Sequence, residues 1–441
     1  MKRGLVDLLG VVFGLVFAFQ SMAVDVSTLE DLQNMRDANS EYVLINNIDA
    51  SPTANWNELT DAGAWSAESN YVRVANASHA RVTNEGKAYY ALQSSGPAQG
   101  GVQEPGVSAQ YTDYWRETAL PAGHILGFDP VTSAAGGSFN NSFDGQGFVI
   151  SNLYVNRPEQ EKVGLFTELA ASATAIIKNL VLERVDITGD GRVGAVVGYG
   201  SVGSHVINCG SSGSVTLTGL LVSTMPAVGG LQGTTYRGYI SNCWSSATVT
   251  ALASKPAGGL VGLMHAGATD GEFTGYVDNS YALGDVTGTT GRLGGLVGYA
   301  LYGATIRNSY ARGTVTADGT DRRRGGLVGH CFGARLINCY STGKVLPAGG
   351  TRGGGLVGAT NTVAWFEDTD NFWDTEASEW SASEMGAGRT TAQMKDIATF
   401  VAWDIAKAKN DPNDGYPYLS GEPSSIWRLF AAPGGTMVKL H

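Results

Sequence analysis

A glycine-rich segment of five residues recurs six times between residues 194 and 358, and it constrains the fold more than any other feature. The copies are Gly194–Gly198, Gly229–Gly233, Gly258–Gly262, Gly294–Gly298, Gly325–Gly329 and Gly354–Gly358. The last four read Gly-Gly-Leu-Val-Gly, and the second has Gln in place of Val. Successive copies end 29 to 36 residues apart. A repeat of this length is typical of architectures built from stacked units.

Each glycine-rich copy except the last is followed by an Asn within an Ile-x-Asn type of segment, and then by a small-residue turn that ends in Val. The asparagines are Asn208, Asn242, Asn279, Asn308 and Asn338, and the valines are Val215, Val249, Val286, Val315 and Val345. Each repeat thus contains three short β-branched runs without helical spacing, which indicates strands. A single coil cannot bury its inner face, whereas stacked coils can. The sequence therefore predicts an all-β solenoid, with coils of about 30 residues and three strands each, stacked at ~4.8 Å.

The repeated Asn has a structural interpretation. An Asn side chain tolerates the left-handed backbone region at a corner. Stacked copies can also bond to one another as an amide ladder. We therefore expect these asparagines to shape the corners of the coils and to have no catalytic role.

These repeats resemble the GLUG-repeat family, which takes its name from a Gly-Leu-x-Gly core. The resemblance covers about residues 140–374. It implies a β-solenoid exported to the bacterial cell surface or medium. The family includes the amino-terminal regions of immunoglobulin A-cleaving metallopeptidases, but their activity belongs to another domain, and this sequence contains no His-Glu-x-x-His.

The two ends differ from the repeats. Residues 1–23 have the basic start, short apolar run and small-residue cleavage site of a secretory signal peptide, and no later segment is apolar enough to span a membrane. Residues 24–55 are expected to form a cap and the first strand of the stack. Within the cap, Ser27 and Glu30 make a capping box for a helix that ends near residue 38. The solenoid is expected over residues 124–374, followed by a carboxy-terminal cap over 375–441. Export predicts a secreted or cell-surface protein.

Residues 57–122 lack the glycine pattern and are crowded with aromatic residues. Gly86-Lys-Ala-Tyr89 and the closing Tyr114-Trp115 resemble the small chitin-binding type of carbohydrate-binding module. Aromatic faces stack on sugar rings, so the candidate ligand contacts are Trp65, Tyr71, Tyr90 and Trp115. The alternative is that most of these rings form the core of a small inserted domain.

Three of the four cysteines, Cys209, Cys243 and Cys339, occupy the same position of the repeat. Stacking places Cys209 over Cys243 at a distance that permits a disulfide, and export would allow oxidation. The alternative is that these side chains replace the buried Ser of the other repeats as small apolar fillers.

Other motifs do not support catalysis. Gly198–Gly203 matches a dinucleotide fingerprint without its βαβ context, and Cys331 lies at a corner with no following helix. The acidic residues of the repeats fall at different positions, so no wall of paired carboxylates is evident. We therefore expect no enzyme activity, no cofactor and no metal ion.

The net charge of −11 also argues against a nucleic-acid partner. The expected function is an adhesin-like or scaffold protein that binds extracellular or surface polysaccharide through the aromatic insert. The alternatives are a polysaccharide-degrading β-helix enzyme, either a lyase or a glycoside hydrolase, and a purely structural matrix component.

Overall fold

A computed structural model describes residues 23–430, apart from residues 36–39, 68, 70–72, 75–77, 93–103, 108–111, 113–114, 133–136, 221–222, 268–274, 290, 319–322, 349–351, 362–365 and 421–425. The expected signal segment, except for residue 23, lies outside the described residues. The described chain is nearly all β, and its short strands pair in parallel with the equivalent strands of the next coil. The predicted β-solenoid is confirmed, with about seven turns.

Four sheets run along the solenoid, and we number them in the order in which one coil visits them. Sheet 1 contains Lys162–Val163, Arg192–Gly194, Ala227–Gly229, Ala257–Gly258, Arg292–Gly294, Arg323–Gly325 and Gly353–Gly354. Sheet 2 contains Phe166–Leu169, Val197–Gly200, Gln232–Tyr236, Val261–His265, Val297–Leu301, Val328–Phe332 and Thr360–Asn361.

Sheets 3 and 4 form the remaining sides of each coil. Sheet 3 contains Val24–Val26, Tyr42–Leu44, Ser142–Asp144, Ile176–Lys178, His205–Ile207, Tyr239–Ser241, Tyr276–Asp278, Thr305–Arg307, Arg335–Ile337 and Glu367–Thr369. Sheet 4 contains Ile48–Asp49, Val149–Ser151, Tyr154–Asn156, Val181–Gly189, Gly210–Leu217, Trp244–Ser245, Thr248–Ala251, Tyr281–Ala282, Val286–Gly288, Tyr310–Ala311, Val315–Ala317, Tyr340–Ser341, Val345–Leu346, Phe372–Asp374 and Ala387–Arg389.

The glycine-rich segment bends sharply in its middle. The expectation of three strands per coil is therefore corrected: a coil such as residues 227–251 has five short strands, which belong to four sheets. A Cβ added to Gly294 would lie 2.0 Å from the carbonyl oxygen of Val297 in the same segment and 2.7 Å from the amide nitrogen of Gly329 in the next coil. No side chain fits between backbone segments this close. Glycine thus permits the bend that divides one apolar run between sheets 1 and 2.

The lumen of the solenoid is filled by apolar columns. In sheet 3, Ile177, Val206, Ile240, Val277, Ile306 and Leu336 follow one another in register, and each is at most 1% exposed. Their neighbours on either side point outward, which is the two-residue alternation of a strand. Burial of these columns is the main force that holds the coils together.

The corner asparagines adopt the predicted left-handed conformation, with φ between 47° and 53° at Asn208, Asn242, Asn279, Asn308 and Asn338. The amide ladder is formed only in part. Asn208 Nδ2 donates to Asn179 Oδ1 at 2.8 Å, and Asn338 Nδ2 approaches Asn308 Oδ1 at 3.5 Å. The Asn279 side-chain oxygen has no hydrogen-bond partner among the described residues. Backbone geometry is therefore the property that all five share.

The amino-terminal end is covered by a helix, Leu29–Gln33, whose Leu32 is buried. The predicted capping box is displaced by one residue. Thr28 accepts a hydrogen bond from the Asp31 amide, and the Asp31 carboxylate accepts from Thr28 in return. Ser27 instead donates to the same carboxylate, because the helix begins one residue later than the Ser-x-x-Glu pattern indicates.

The insert forms a sheet of its own, with strands Glu58–Ala64, Arg73–Val74, Ser78–Asn84, Lys87–Ala91 and Trp115–Thr118, and it follows a 3-10 helix, Ser51–Asn55. Beyond it the chain returns to the first coil, where Phe128 N donates to Tyr154 O at 2.8 Å. The insert is thus an excursion from the first coil, and both of its ends are held there.

The carboxy-terminal cap contains a short helix, Thr391–Met394, a 3-10 helix, Ile397–Phe400, and a sheet of Ile405–Ala408, Tyr418–Leu419 and Trp427–Phe430. It packs against the outward aromatic column of sheet 4, Tyr310, Tyr340 and Phe372. The strand Ala387–Arg389 still pairs with Phe372–Asp374, so the stacked strands continue beyond residue 374, where the sequence placed their end.

Candidate functional site

The aromatic side chains proposed for sugar contact do not form one exposed platform. Trp115 is 1% exposed and packs with Val82 and Tyr89, whereas Tyr90 is 4% exposed and packs with Leu59 in a separate cluster. The expectation that Trp115 and Tyr90 stack directly on a sugar is therefore wrong, because both rings belong to the core of the insert. Spacing in sequence could not distinguish a buried ring from an exposed one.

The other two candidates differ from this pair. Trp65 is half-buried against the cluster that contains Trp115, and its amide nitrogen donates to Thr83 O at 2.8 Å. Tyr71 lies outside the described residues. Of the four predicted contacts, only Trp65 is therefore placed with part of its ring accessible.

A cavity of about 630 Å³ lies instead between the insert and the first coils of the solenoid. The insert contributes Arg73, His79, Tyr90, Leu92 and Arg116 to its lining, and the opposite wall includes Asp129, Arg157, Glu159, Gln160, Glu161, Lys162, Thr167 and Glu168. We call this cavity the insert cleft. Its residues are separated by up to about 95 positions in the chain, so no local motif in the sequence indicates it.

Asp129 joins the two walls of the insert cleft. Its carboxylate oxygens each lie 3.3 Å from a guanidinium nitrogen, one from Arg157 and one from Arg73. Arg157 is buried, and its Nε donates to Phe128 O at 3.0 Å. The backbone of Asp129 makes two further hydrogen bonds to the Gln33 side chain, at 2.7 and 3.0 Å. Asp129 is therefore fixed from the cap, the insert and the solenoid at once.

Glu159 holds the insert from the solenoid side. Its carboxylate accepts hydrogen bonds from Thr118 Oγ1 at 2.6 Å and from the Ala119 amide at 2.7 Å. Thr118 ends the last strand of the insert sheet. Hydrogen bonds to a carboxylate are stronger than those between neutral groups. They therefore hold the end of the insert sheet at a fixed distance from the solenoid wall.

The two carboxylates farther along the wall are paired with cations. Glu161 lies 3.3 Å from Arg192 Nη1, and Glu168 forms an ion pair with Lys162. Each of the four carboxylates that line the cleft thus already accepts from a cation, a hydroxyl or an amide. None lies in the apolar surroundings that a general acid requires.

His79 lies at the buried side of the cleft. Its ring nitrogens face the Ala91 carbonyl and the Asn57 side-chain oxygen. Burial lowers the pKa of His79 to about 4, and the nearby Arg157 and Arg73 act in the same direction. His79 is therefore neutral near pH 7, and it adds no charge to the cleft.

The formal charges that line the insert cleft balance. Arg73, Arg116, Arg157 and Lys162 supply four cations, and Asp129, Glu159, Glu161 and Glu168 supply four anions. Guanidinium groups only donate hydrogen bonds and carboxylates only accept them. A surface with both kinds of group in equal number suits a neutral ligand rich in hydroxyl groups, because each hydroxyl both donates and accepts.

The predicted disulfide between Cys209 and Cys243 is absent, since all four cysteines are free and buried. Cys243 Sγ lies 3.2 Å from Ser241 O, and the Cys209 amide approaches Cys243 Sγ at 3.4 Å. In the neighbouring coil the Cys243 amide donates in the same way to Ser280 Oγ at 3.1 Å. The thiols thus occupy the place of the buried Ser, which was the alternative interpretation.

Across the described ranges, no group of three or more His, Cys, Asp or Glu side chains is arranged to hold a metal ion. A search of the same ranges for a helix with the length and apolar character to cross a membrane finds none.

Comparison with known proteins connects the repeat to a recognised motif. Residues 289–316, which include one glycine-rich segment and the corner Asn308, match the model of the GLUG motif. This segment of the chain carries a GLUG motif. The resemblance inferred from the sequence is confirmed at this level.

Two curated proteins are similar to part of this chain. One, provisionally described as a Gly-rich membrane protein of Evansella cellulosilytica, is 32% identical over 123 residues, which is 26% of this chain and 14% of that protein. The other, halomucin of Haloquadratum walsbyi, is 36% identical over 111 residues, which is 25% of this chain and 1% of that protein. The matched segments span only a small part of either relative.

Among solved structures, the chain is similar to a Bacteroides ovatus protein provisionally described as an immunoglobulin A1 protease. The identity is 17%, the TM-score is 0.44, and the match covers 80% of this chain and 85% of the other. A second match, an IgA1 protease, has 14% identity and a TM-score of 0.43, and it covers 85% of this chain and 24% of that one.

Proposed function

We propose that this GLUG-repeat chain is an exported, non-enzymatic β-solenoid that binds an extracellular or surface polysaccharide in the insert cleft. The observation that carries this proposal is the cleft itself, which is lined from the insert and from the solenoid by four cations and four carboxylates. Fixed donors and acceptors around a cavity of this size are typical of small-ligand sites. Trp65 packs instead against the cluster around Trp115 and is not among the residues that line the cleft.

The chemistry of the cleft favours neutral sugar units. An anionic or cationic ligand would meet as many like charges as opposite ones, whereas a polyhydroxylated ring can bond to both. The insert is still the carbohydrate-binding element, but the contacts come from its charged residues at the cleft and not from its aromatic core.

Two further features support export and the lack of catalysis. The first 23 residues have the pattern of a secretory signal, and one relative is described as a membrane protein. The carboxylates of the cleft are each engaged with donors, an arrangement suited to binding. A carboxylate pair for glycan cleavage requires one acid that keeps its proton.

The test is retention of the purified protein on insoluble chitin, cellulose and peptidoglycan, with reducing sugar measured in the same samples. Arg116→Ala removes a half-buried cation of the cleft, and we expect about tenfold weaker retention, as for loss of a charge-assisted hydrogen bond. Lys87→Ala is the matched control, because this exposed cation of the same sheet pairs with Glu117 away from the cleft.

The outcomes separate the three functions. Retention without sugar release, weakened by Arg116→Ala and unchanged by Lys87→Ala, supports binding in the cleft. Sugar release that follows the protein through purification would favour the degrading enzyme. If no matrix retains the protein, the binding proposal fails and a purely structural role is favoured.

A further inference from the structure

One outward column of sheet 4 consists of threonines in five consecutive coils. Adjacent strands of a sheet lie ~4.8 Å apart, so these side chains repeat at that interval along the solenoid. Each is directly opposite the next in the sheet. The members are Thr188, Thr216, Thr250, Thr287 and Thr316.

A second outward column runs beside the first, two residues earlier in each coil. Residues two apart on a strand point to the same side of the sheet, and their Cα atoms are separated by roughly 6.6 Å. We call the two columns together the threonine face. It thus presents short polar side chains on a lattice with one repeat along the solenoid and another across it. The second column contains Ser214, Thr248, Asp285 and Thr314.

The threonines of this face are accessible to solvent. Thr248 and Thr287 are exposed, and Thr250 and Thr316 are half-buried. Within the described ranges, the hydroxyl groups of these four threonines form no hydrogen bond to another protein group. Each hydroxyl can therefore both donate to and accept from a partner outside the protein.

The strands that carry the face are anchored from the inside. Between the two columns, Val215, Val249, Val286 and Val315 point into the lumen and are fully buried. A β-branched side chain such as Thr also has few conformations about its first torsion angle. The hydroxyl and methyl groups are therefore arranged before a partner arrives, and binding loses little conformational entropy.

The charge of the face restricts the kind of partner. The first column is uncharged over five coils, although the chain has a net charge of −11. Outward positions of sheet 3 instead contain ion pairs, such as Arg307 with Asp278 and Arg335 with Glu367. An uncharged face suits an uncharged partner, because a charged one would lose hydration without gaining an opposite charge. The two columns also contain no aromatic ring to stack on a sugar.

We propose that the threonine face binds ice. A water molecule in ice both donates and accepts hydrogen bonds, as a threonine hydroxyl does. Oxygen atoms on the prism face of hexagonal ice form a rectangular lattice, and its two spacings are close to the two repeats of the threonine face. Liquid water has no such lattice, so this match distinguishes the crystal from the solvent. The threonine face is separate from the insert cleft, and this inference does not depend on polysaccharide binding.

The test measures thermal hysteresis, which is the gap between the melting and freezing temperatures of a small ice crystal, and partition of the protein into slowly growing ice. We expect the wild-type protein to show both effects. Thr250→Lys with Thr287→Lys places two long charged side chains in the middle of the face and should abolish both. Thr83→Lys is the matched control, because Thr83 is an exposed threonine on a strand of the insert.

Urea unfolding separates loss of binding from loss of the fold. Exposed positions tolerate substitution, so all three proteins should unfold at similar urea concentrations. If the lysine variant unfolds earlier, Thr250→Val with Thr287→Val replaces it, because valine keeps the side-chain shape and removes only the hydroxyl. This second variant should still lower the thermal hysteresis.

Exclusion of the wild-type protein from growing ice would overturn the proposal, as would equal activity of wild type and a folded double variant. Equal loss in Thr83→Lys would also contradict it. If the wild type instead binds crystalline cellulose but not ice, and the double variant loses that binding, the face recognises a polysaccharide surface and the proposal is wrong. Arg116→Ala should leave ice binding unchanged, so failure at the insert cleft and failure here are distinguishable.

Discussion

His330 shows how the setting of one residue in the stack determines its protonation. The side chain is 3% exposed. Burial, together with Arg323, Arg292 and Arg352, lowers the pKa of His330 to about 4. In the folded protein the neutral ring accepts from Arg292, and protonation would replace that hydrogen bond with repulsion between two cations.

This setting predicts a loss of stability in acid. Between pH 6.5, near the ordinary histidine pKa, and pH 4 the unfolded chain binds the proton and the folded chain does not, so the free energy of unfolding falls as pH falls. Solvent screening limits the effect of this one group to roughly 1–2 kcal/mol. Urea unfolding of wild type and His330→Asn across this range should show the stability gap between them narrowing toward pH 4. Parallel curves for the two proteins would contradict the assignment.

The buried cysteines should be unreactive in the folded protein. Burial raises the pKa of the Cys339 thiol to about 12 and that of the Cys243 thiol above its usual range. Thiolates are the reactive species, so the native protein should not react with maleimide at pH 7. After unreduced protein is unfolded in urea, intact mass should show four labels. Two labels would instead reveal a disulfide, as the column of cysteines in the sequence first suggested.

Successive coils approach each other closely at the glycine-rich segments. A Cβ on Gly295 would lie 2.1 Å from Gly326 O and 2.9 Å from Ala311 Cβ. Gly295→Ala should therefore push two coils apart and destabilise the protein by about 3 kcal/mol or more. Gly275→Ala is the matched control, because its nearest atoms lie at 3.5 Å and its effect should stay within about 0.5 kcal/mol. Equal losses in the free energy of unfolding for the two variants, measured by urea unfolding, would contradict this prediction.

The repeat itself explains why the solenoid could be predicted and the cleft could not. Equivalent residues such as Val206, Ile240 and Val277 stack because each coil repeats the same local pattern, so the period alone determines which residues meet. The division between sheets 1 and 2 could not be predicted, because it depends on close contact between backbone atoms at the glycines. Such contact produces no alternation of apolar and polar residues in the sequence. In the insert, alternation did not show that Tyr90 and Trp115 would both be buried, since that sheet is packed on both sides.

The carboxy-terminal cap lies along the flank of the solenoid as well as over its end. Trp427 lies 5.9 Å from the ring of Tyr310 and 5.8 Å from that of Tyr340, which belong to successive coils. Trp403 packs on Trp427 at 4.6 Å, and its Nε1 donates to Asp370 O. Farther toward the amino terminus, Trp244 and Tyr281 continue the same column without this cover and remain half-buried. The cap therefore couples the last coils more tightly than stacking alone.

This coupling predicts that the two ends of the molecule open independently. In a solenoid each coil contacts mainly its neighbours, so local opening has its own free energy along the stack. Trp427→Ala removes a fully buried ring at a cost of about 3–5 kcal/mol, and hydrogen exchange should accelerate in strands Tyr310–Ala311, Tyr340–Ser341 and Phe372–Asp374. Exchange in the first coils, such as Ile176–Lys178, should not change.

Trp244→Ala is the control within the same column. It should affect only its own coil and the adjacent ones, because no cap depends on it. Acceleration along the entire chain in the Trp427→Ala protein would mean that the solenoid opens as a single cooperative unit, and the cap would then stabilise the whole fold.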